Sequence, residues 1–207
     1  YYSSSPLPAA FGLSSVFMPV GPAGIPIRIE FVGAQAVWPE GVGLQGPATS
    51  YFFGRDPSEW VSGARSYGEV LYLGLYPGID LRYRLVDGGI KYEFVAQPAA
   101  DVSAIEITYS GAEALRSLPT GGIEIRGGDG ILSEAAPVAF DEEEVVDCAF
   151  RLRGPLSVGF DCHGWSRESS LVIDPLVMST FLGGSDQDQV EAVGVDDQGN
   201  LVLAGTS

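Results

Sequence analysis

A two-residue alternation of apolar and polar side chains in the middle of the chain constrains its fold more than any other feature. In I-D-L-R-Y-R-L, residues 79–85, every second residue is apolar and the residues between them are Asp or Arg. Successive side chains of a β-strand point to opposite faces, so this pattern is typical of a strand with one face in a core and the other in solvent. We therefore predict that this part of the chain is β-sheet.

Turn signals divide the rest of the chain into many short strands. Asp87-Gly88-Gly89 predicts a tight hairpin between strands at residues 83–85 and 90–95, and Tyr76-Pro77-Gly78 predicts a second turn. The 28 Gly and 14 Pro residues punctuate short apolar runs throughout the sequence. The predicted fold class is all-β, an antiparallel sandwich or meander of short strands, followed by a C-terminal strand segment.

The same patterns give a domain organisation. Residues 1–10 are small, Pro-rich and uncharged, and we expect either an extended arm that lies across a neighbouring subunit or a frayed terminus. Residues 11–174 form the predicted β-rich domain, with first strands at 11–19 and 25–32. Residues 33–48 are expected to be a loop anchored by Val37-Trp38, and residues 112–118 a single helical turn. A boundary is expected at Asp174-Pro175, with residues 175–207 as a partial β repeat.

The charge and hydropathy of the chain argue against several kinds of partner. The formal net charge is −16, with 27 acidic residues against 11 basic ones, and Lys91 is the single lysine. Such a chain is repelled by phosphate backbones, so nucleic-acid binding is not expected. No stretch approaches the roughly 18 apolar residues of a membrane-spanning helix, so no transmembrane segment is predicted. Because the chain starts at Tyr1 without a basic and apolar leader, we expect that any signal peptide has been removed.

The two cysteines are placed to form a disulfide. Cys148 and Cys162 lie in two alternating runs on either side of a Gly-Pro turn, so they are expected nearly opposite each other on a hairpin. An intramolecular bridge would indicate an oxidising compartment. Two free buried thiols and an intermolecular bridge are the alternatives.

Catalytic motifs are absent from the sequence, and we predict that the protein is not an enzyme. His163 is the single histidine and no G-x-S-x-G motif accompanies it. Cys148, Cys162 and His163 lack the C-x-x-C spacing of a zinc site. No glycine-rich phosphate-binding loop precedes a helix. A glycosidase-type pair of carboxylates can arise in any chain with this many acids, but nothing singles out one pair.

Two ligands, Ca²⁺ and cell-surface glycans, are considered from clusters of suitable side chains. Acidic and amide side chains cluster in the tail, and hard oxygen ligands suit Ca²⁺, although the cluster lacks the glycine and distal Glu of an EF-hand. The residues of this calcium site would be Asp186, Asp188, Asp196, Asp197 and Asn200. The many aromatics of residues 51–83 could line a face that binds cell-surface glycans, but alternating aromatics more often build the core of a sheet.

Several spaced motifs resemble a known family. The block T-S-Y-F-F-G-R-D-P-S-E-W, then Y-P-G-I-D-L-R-Y and Y-E-F-V, resembles a β-rich domain of secreted bacterial and archaeal proteins. In that family the domain precedes SBBP-type β-propeller repeats, and the tail S-T-F-L-G-G-S…V-D-D-Q-G-N-L-V-L-A-G-T is similar to the start of the first repeat. The resemblance implies a secreted or cell-surface protein. The chain departs from the family's pattern in two ways: the front of the domain is shortened, and only one partial repeat follows.

A partial blade leads to our functional hypothesis. Closing a propeller takes typically four to eight blades, so the tail strands would need other partners. We expect them to add to the sheet edge of another copy, which would build a filament, sheath or coat outside the cell. The alternative is a binding or adhesion module cut from a larger secreted propeller protein. The residues expected in the assembling strands are Leu176, Val177, Met178, Phe181, Leu182, Val193, Val195, Leu201, Val202 and Leu203.

Overall fold

The computed structural model describes most of the chain as antiparallel β-sheet. The described residues are 9–21, 24–51, 60–86, 89–128, 130–142, 144–175, 179–180, 189–195 and 201–206. The first nine strands are β1 (Ala10–Gly12), β2 (Ser15–Val20), β3 (Ile25–Phe31), β4 (Glu40–Tyr51), β5 (Val61–Tyr76), β6 (Ile79–Val86), β7 (Gly89–Ala96), β8 (Glu106–Ser110) and β9 (Ala114–Ser117). The others are β10 (Ile123–Gly127), β11 (Gly130–Glu134), β12 (Pro137–Asp141), β13 (Glu144–Gly154), β14 (Ser157–His163), β15 (Leu171–Pro175), β16 (Ser179–Thr180), β17 (Gln189–Val195) and β18 (Leu201–Thr206).

Twelve of these strands form one hydrogen-bonded sheet in the order β1-β2-β3-β8-β14-β13-β12-β15-β7-β6-β5-β4. Strand β13 pairs with β12 through its first residues and with β14 through the rest, so it passes from one half of the sheet to the other. The two halves pack face to face in a sandwich-like arrangement that does not close into a barrel. Aromatic rings join them: the ring centroids of Phe31 and Phe94 lie 6.2 Å apart, and those of Phe11 and Tyr83 lie 5.1 Å apart.

Buried tyrosine hydroxyls connect the halves through backbone carbonyls. The Tyr72 hydroxyl lies within hydrogen-bond distance of two acceptors, to either of which it can donate. These are the backbone carbonyls of Gly12 at 2.9 Å and of Ser15 at 3.0 Å. Tyr72 is fully buried, and its β5 strand therefore fixes the turn between β1 and β2 on the opposite layer. Pairing buried polar atoms in this way avoids the free-energy cost of leaving them without partners.

A smaller sheet, in the order β16-β11-β10-β9, adds a third face to the core. Ile123, Ile125 and Leu132 from this sheet are fully buried in the same apolar cluster as the sandwich. The start of β11 passes very close to the β2–β3 turn, because a Cβ on Gly130 would lie 2.1 Å from the backbone nitrogen of Gly21. Only glycine fits such a backbone approach. Strands β17 and β18 form a separate two-stranded sheet.

The predicted fold class is confirmed, and so is the central hairpin: β6 and β7 pair from Ile79↔Ala96 to Val86↔Gly89. Residues 11–19 contain two short strands rather than one, and Ala9 and Ala10 are buried at the start of the first. Val37 packs against the core, while Trp38 is 70% exposed.

Two local predictions were wrong. Residues 33–48 are not wholly a loop, since β4 begins at Glu40 and pairs with β5 over much of its length. Residues 112–118 contain strand β9 instead of a helical turn, because Ala114–Ser117 hydrogen-bonds to β10. In both segments a neighbouring strand supplies the partners that local propensity does not reveal. No helix long or apolar enough to span a bilayer occurs in the part of the chain that the structure describes.

Candidate functional site

A ladder of charged side chains lies on the outer face of strands β5, β6, β7 and β15. It forms because every second residue of these strands points away from the core, and the outward positions carry charges of both signs. Cross-strand register places Glu69 opposite Arg84, and Arg82 opposite Glu93. We call this set the charge ladder; its members are Glu69, Arg82, Arg84, Lys91, Glu93 and Asp174.

The charge ladder is a continuous network of ion pairs. Arg84 lies between Glu69 and Glu93, at 3.0 and 3.1 Å, and Arg82 approaches the same two carboxylates at 3.4 and 3.7 Å. At the far end, Lys91 Nζ lies 2.6 Å from Asp174 Oδ2 and 3.5 Å from Glu93 Oε1. Three cations thus balance three carboxylates in a chain whose net charge is strongly negative.

The end of the ladder around Lys91 is more buried than an ordinary surface ion pair. The side chains of Glu93, Asp174 and Lys91 are only 10%, 13% and 22% exposed. The hydrogen bond to Asp174 is the main cause that raises the pKa of Lys91. The second carboxylate oxygen of Asp174, Oδ1, is buried without a hydrogen-bond partner among the described residues. Leaving such an oxygen unpaired costs free energy, so this end of the ladder is chemically unusual.

A second polar cluster lies inside the core. Glu134, at the end of β11, is 2% exposed and accepts hydrogen bonds from the hydroxyls of Tyr92 and Tyr109, each at 2.7 Å. Tyr92 belongs to β7 and Tyr109 to β8, so one carboxylate connects the small sheet to both layers of the sandwich. Burial raises the pKa of Glu134, and the two tyrosine hydrogen bonds oppose that shift. Burial also raises the pKa values of Tyr92 and Tyr109 well above their usual range.

The hairpin of β4 and β5 forms an arm at one edge of the large sheet. Strand β4 is the last strand in the sheet order, and within the described residues it pairs only with β5. Beyond Leu44 the described side chains of β4 are exposed, and on the facing part of β5 only Ala64 is half-buried before Tyr67. Both faces of the outer half of this hairpin are therefore open to solvent. Val42 and Leu44 are 39% and 54% exposed.

The predicted disulfide is present between Cys148 and Cys162. The two residues are directly opposite in the β13–β14 register, with Cα atoms 4.0 Å apart. Cys148 is among the core residues, and no described cysteine is free. The intramolecular disulfide predicted from the hairpin is therefore confirmed. The two alternatives, free thiols and an intermolecular bridge, are excluded in this structure.

The predicted calcium site lies in a part of the chain that the structure does not describe, whereas His163 is described. Asp186, Asp188, Asp196, Asp197 and Asn200 lie outside the described residues, so the calcium site stays a prediction. Among the residues that are described, no group of three His, Cys, Asp or Glu side chains could hold a metal ion. His163 is 72% exposed by side chain and lies 3.5 Å from Asp161.

The tail strands are described only as backbone. Leu176, Val177, Met178, Phe181 and Leu182 lie outside the described residues. Ser179 and Thr180 pair with Ser133 and Leu132 of β11. The remaining predicted assembly residues lie in the β17–β18 hairpin, whose register is Val193↔Leu203, Gly194↔Val202 and Val195↔Leu201.

The aromatic residues that are described mainly build the core. Tyr72, Tyr76 and Tyr83 are each at most 3% exposed, and Tyr72 and Tyr83 pack ring to ring at 6.4 Å. Trp60 is 41% exposed. Tyr51, Phe52 and Phe53 have side chains outside the described set.

Sequence reasoning missed the charge ladder as a network and missed Glu134 altogether. The alternation assigned Arg82 and Arg84 to the solvent face, but it contained no information on which carboxylates face them. For Glu134 one signal was available: it has the same strand parity as the buried Leu132, which places a carboxylate on the core side of β11. An acidic residue at a core position is the pattern that could have identified this cluster.

Comparison with known proteins identifies the family of this chain. The family described as a domain of unknown function, DUF7948, matches residues 22–176. That region contains every residue of the charge ladder, Glu134 and the disulfide. Curated proteins and solved structures gave no match. The likeness of the tail to SBBP repeats stays a prediction. Since the matched region covers well over half of the sequence, the chain belongs to the DUF7948 family.

Proposed function

We propose that this protein is a non-enzymatic structural subunit of an extracellular assembly, built by β-strand pairing between copies of the chain. The observation that carries the proposal is the β4–β5 arm. Its outer half is exposed on both faces, and its β4 edge has no described partner. Long exposed edge strands are ready templates for pairing with another chain, and proteins that must stay monomeric usually protect them.

The composition of β4 offers only part of that protection, because charged residues are nearly absent although Pro47 is present. Glu40 is its only charged residue, and it lies at the first position of the strand. Pro47 and the left-handed glycines Gly43 and Gly46 interrupt the middle of the strand, so pairing would be easiest at its two ends. Val42 and Leu44 would then be covered by the added strand, which favours association through the burial of apolar area.

The tail supplies candidate donor strands. Hairpin β17–β18 forms a sheet of only two strands, with β17 near β1, and a two-stranded sheet gains stability from further strands. Addition of this hairpin to the β4 edge of the next copy would satisfy both elements. Because the donor and acceptor surfaces differ, the contact is head to tail, and it propagates into a filament unless the rotation between copies closes a ring. The Cys148–Cys162 disulfide supports an oxidising, extracellular setting.

Sedimentation of matched variants tests the proposal. Leu44→Lys places a charge on the open β4 edge and is expected to shift the protein from large assemblies to monomers. Leu152→Lys is the control, because Leu152 is similarly exposed, 46% against 54%, but lies on β13, which has a neighbour on both sides. Assembly that survives Leu44→Lys, or that is lost equally in both variants, would contradict a role for the β4 edge.

The alternative is a binding or adhesion module of a larger secreted protein, and one observation favours it. Trp38 is 70% exposed, and indole rings are suited to contacts with partners that have apolar and polar faces, including glycans. On this account the purified chain is a stable monomer. Binding to cell-surface glycans would be lost in Trp38→Ala and retained in Leu152→Ala, whereas equal binding by both variants would remove the support for this alternative.

A further inference from the structure

We propose that Lys91 and Asp174 condense to an amide bond within the chain, with Glu93 as the catalytic residue that moves the proton. The product is a covalent cross-link between the side chains of β7 and β15. This inference concerns the chemistry of the charge ladder and stands whether or not the chain forms assemblies.

The amine and both carboxylates are close neighbours on the sheet. Lys91 Nζ lies 2.6 Å from Asp174 Oδ2 and 3.5 Å from Glu93 Oε1. Strands β7 and β15 pair in a fixed antiparallel register through Ile173↔Phe94, so their outward side chains meet at the same place on the sheet. Holding two reactants together in a rigid scaffold can supply an effective concentration on the order of 10⁵ M or more. The fold therefore removes the main entropic barrier to joining an amine and a carboxyl group.

The reaction balances as a simple condensation. A proton passes from the Lys91 ammonium to the Asp174 carboxylate, which gives a neutral amine and a neutral acid. The amine lone pair attacks Asp174 Cγ, and the new C–N bond forms as the carbonyl becomes tetrahedral. Glu93 accepts a proton from the nitrogen and returns it to the departing hydroxyl, which leaves as water. General acid and base catalysis of this kind contributes about 10²–10⁴ in rate. No oxidant, metal or cofactor enters the balance.

The surroundings favour the neutral product over the ion pair. The side chains of Asp174 and Lys91, whose charges the reaction removes, are 13% and 22% exposed, and removing charges from water is costly. Asp174 Oδ1 is buried without a described hydrogen-bond partner, which penalises the carboxylate form in particular. An amide carries no charge and bears a smaller penalty for an unpaired oxygen. Condensation thus relieves a cost that the resting ion pair retains.

Two further cations of the ladder lie against Glu93. Arg84 lies 3.1 Å from Glu93 and Arg82 lies 3.7 Å away, so two permanent cations stabilise its carboxylate. The hydrogen bond to Asp174 raises the pKa of Lys91, so the amine must first give up a proton before it can attack. The neutral pair carries the same number of protons as the ion pair, so the first proton transfer takes up and releases no proton.

The composition of the chain makes the test simple, because Lys91 is the only lysine. The first measurement is the intact mass of the folded, purified full chain after denaturation, reduction and alkylation. The bonded chain is expected to be lighter, by the mass of one water molecule, than its sequence with both cysteines alkylated. It is also expected to remain in one piece when a protease specific for lysine is added, whereas a chain with a free Lys91 is cut into two fragments.

Variants separate the roles of the three residues. Asp174→Ala is the unreacted reference, with the full mass and cleavage at Lys91. Glu93→Gln is expected to form the bond at least ten-fold more slowly, measured as the fraction of light chain after refolding. Glu69→Gln is the matched control: it removes a carboxylate from the same ladder, but one that contacts Arg82 and Arg84 and not Lys91. It should react like the unaltered chain.

The outcomes decide each part of the proposal. A folded, unaltered chain with its full mass and with cleavage at Lys91 would overturn the cross-link, and this result does not depend on whether any variant folds. A light chain in which Glu93→Gln reacts as fast as Glu69→Gln would overturn the catalytic role of Glu93. A light chain whose cross-linked peptide joins Lys91 to an acidic residue other than Asp174 would overturn the assignment of the partner.

Discussion

Substituting the buried carboxylate of Glu134 should change how the stability of the domain depends on pH. Glu134 accepts hydrogen bonds from Tyr92 and Tyr109 and has the hydroxyl-bearing ring of Tyr83 nearby, and burial raises its pKa. Among the described residues no ion pair to Glu134 is found to offset this burial. In Glu134→Gln the side chain keeps its shape and stays neutral. Each tyrosine hydroxyl can still donate to the amide oxygen or accept from the amide nitrogen.

Proton linkage gives the sign and the size of this pH-dependent change in the free energy of unfolding. In the unfolded chain Glu134 titrates near its usual pKa of about 4.3. Because the folded-state pKa is higher, the stability that this group contributes is complete below about pH 4 and is lost as the pH rises through the folded pKa. The loss has a slope of about 1.4 kcal/mol per pH unit across that interval. Glu134→Gln has no such loss, so it should match the unaltered protein in acid and become the more stable form as the pH rises.

Urea unfolding at a series of pH values, followed by tryptophan fluorescence, measures this difference. Glu144→Gln is the control, since Glu144 is exposed at the start of β13 and should leave the pH dependence unchanged. Glu134→Ala leaves two buried hydroxyls without an acceptor, at about 1–3 kcal/mol each, and should lose roughly 2–6 kcal/mol. Parallel stability curves for Glu134→Gln and the unaltered protein from about pH 4 to 8 would refute the account of a buried carboxylate with a raised pKa.

Four further results are expected. Replacing Cys148 and Cys162 by Ala removes a link across a sequence separation of 14 residues and should lower the free energy of unfolding by about 3 kcal/mol, with no further loss on adding reductant. Tyr72→Phe removes a hydroxyl that lies within hydrogen-bond reach of a buried and a half-buried carbonyl, and it should cost about 1–3 kcal/mol in urea unfolding. Gly130→Ala places a Cβ 2.1 Å from the Gly21 nitrogen. A loss of about 1–2 kcal/mol in the free energy of unfolding should lower the melting temperature by about 4 °C. If the acidic tail binds Ca²⁺, chelation should lower the melting temperature, and an unchanged value would remove that site.

The strands with a strict two-residue alternation were predictable from the sequence. Residues 79–95 contain apolar positions at every second site and a glycine turn, so both the hairpin and its inward face followed from local pattern. The disulfide followed for the same reason, because Cys148 and Cys162 are equidistant from a turn in a hairpin. In these segments, the information that fixes the structure lies within a few residues.

The remaining features depend on strands that are distant in the sequence. Strand β4 is glycine-rich and polar, and it is a strand because β5 supplies partners 10 to 31 residues away. The end of the charge ladder needs Asp174 to lie beside Lys91, which only the pairing of β15 with β7 achieves. Glu134 is polar, and its burial depends on two tyrosines from different layers. A single sequence does not specify these long-range pairings.

Electron microscopy of the purified chain with its disulfide intact tests the central claim most directly. If the protein is a structural subunit that pairs its strands with those of other copies, regular filaments, tubes or sheets are expected in the native material. Dispersed particles of about monomer size, at concentrations where sheet edges would have partners, would contradict the claim and favour the adhesion module.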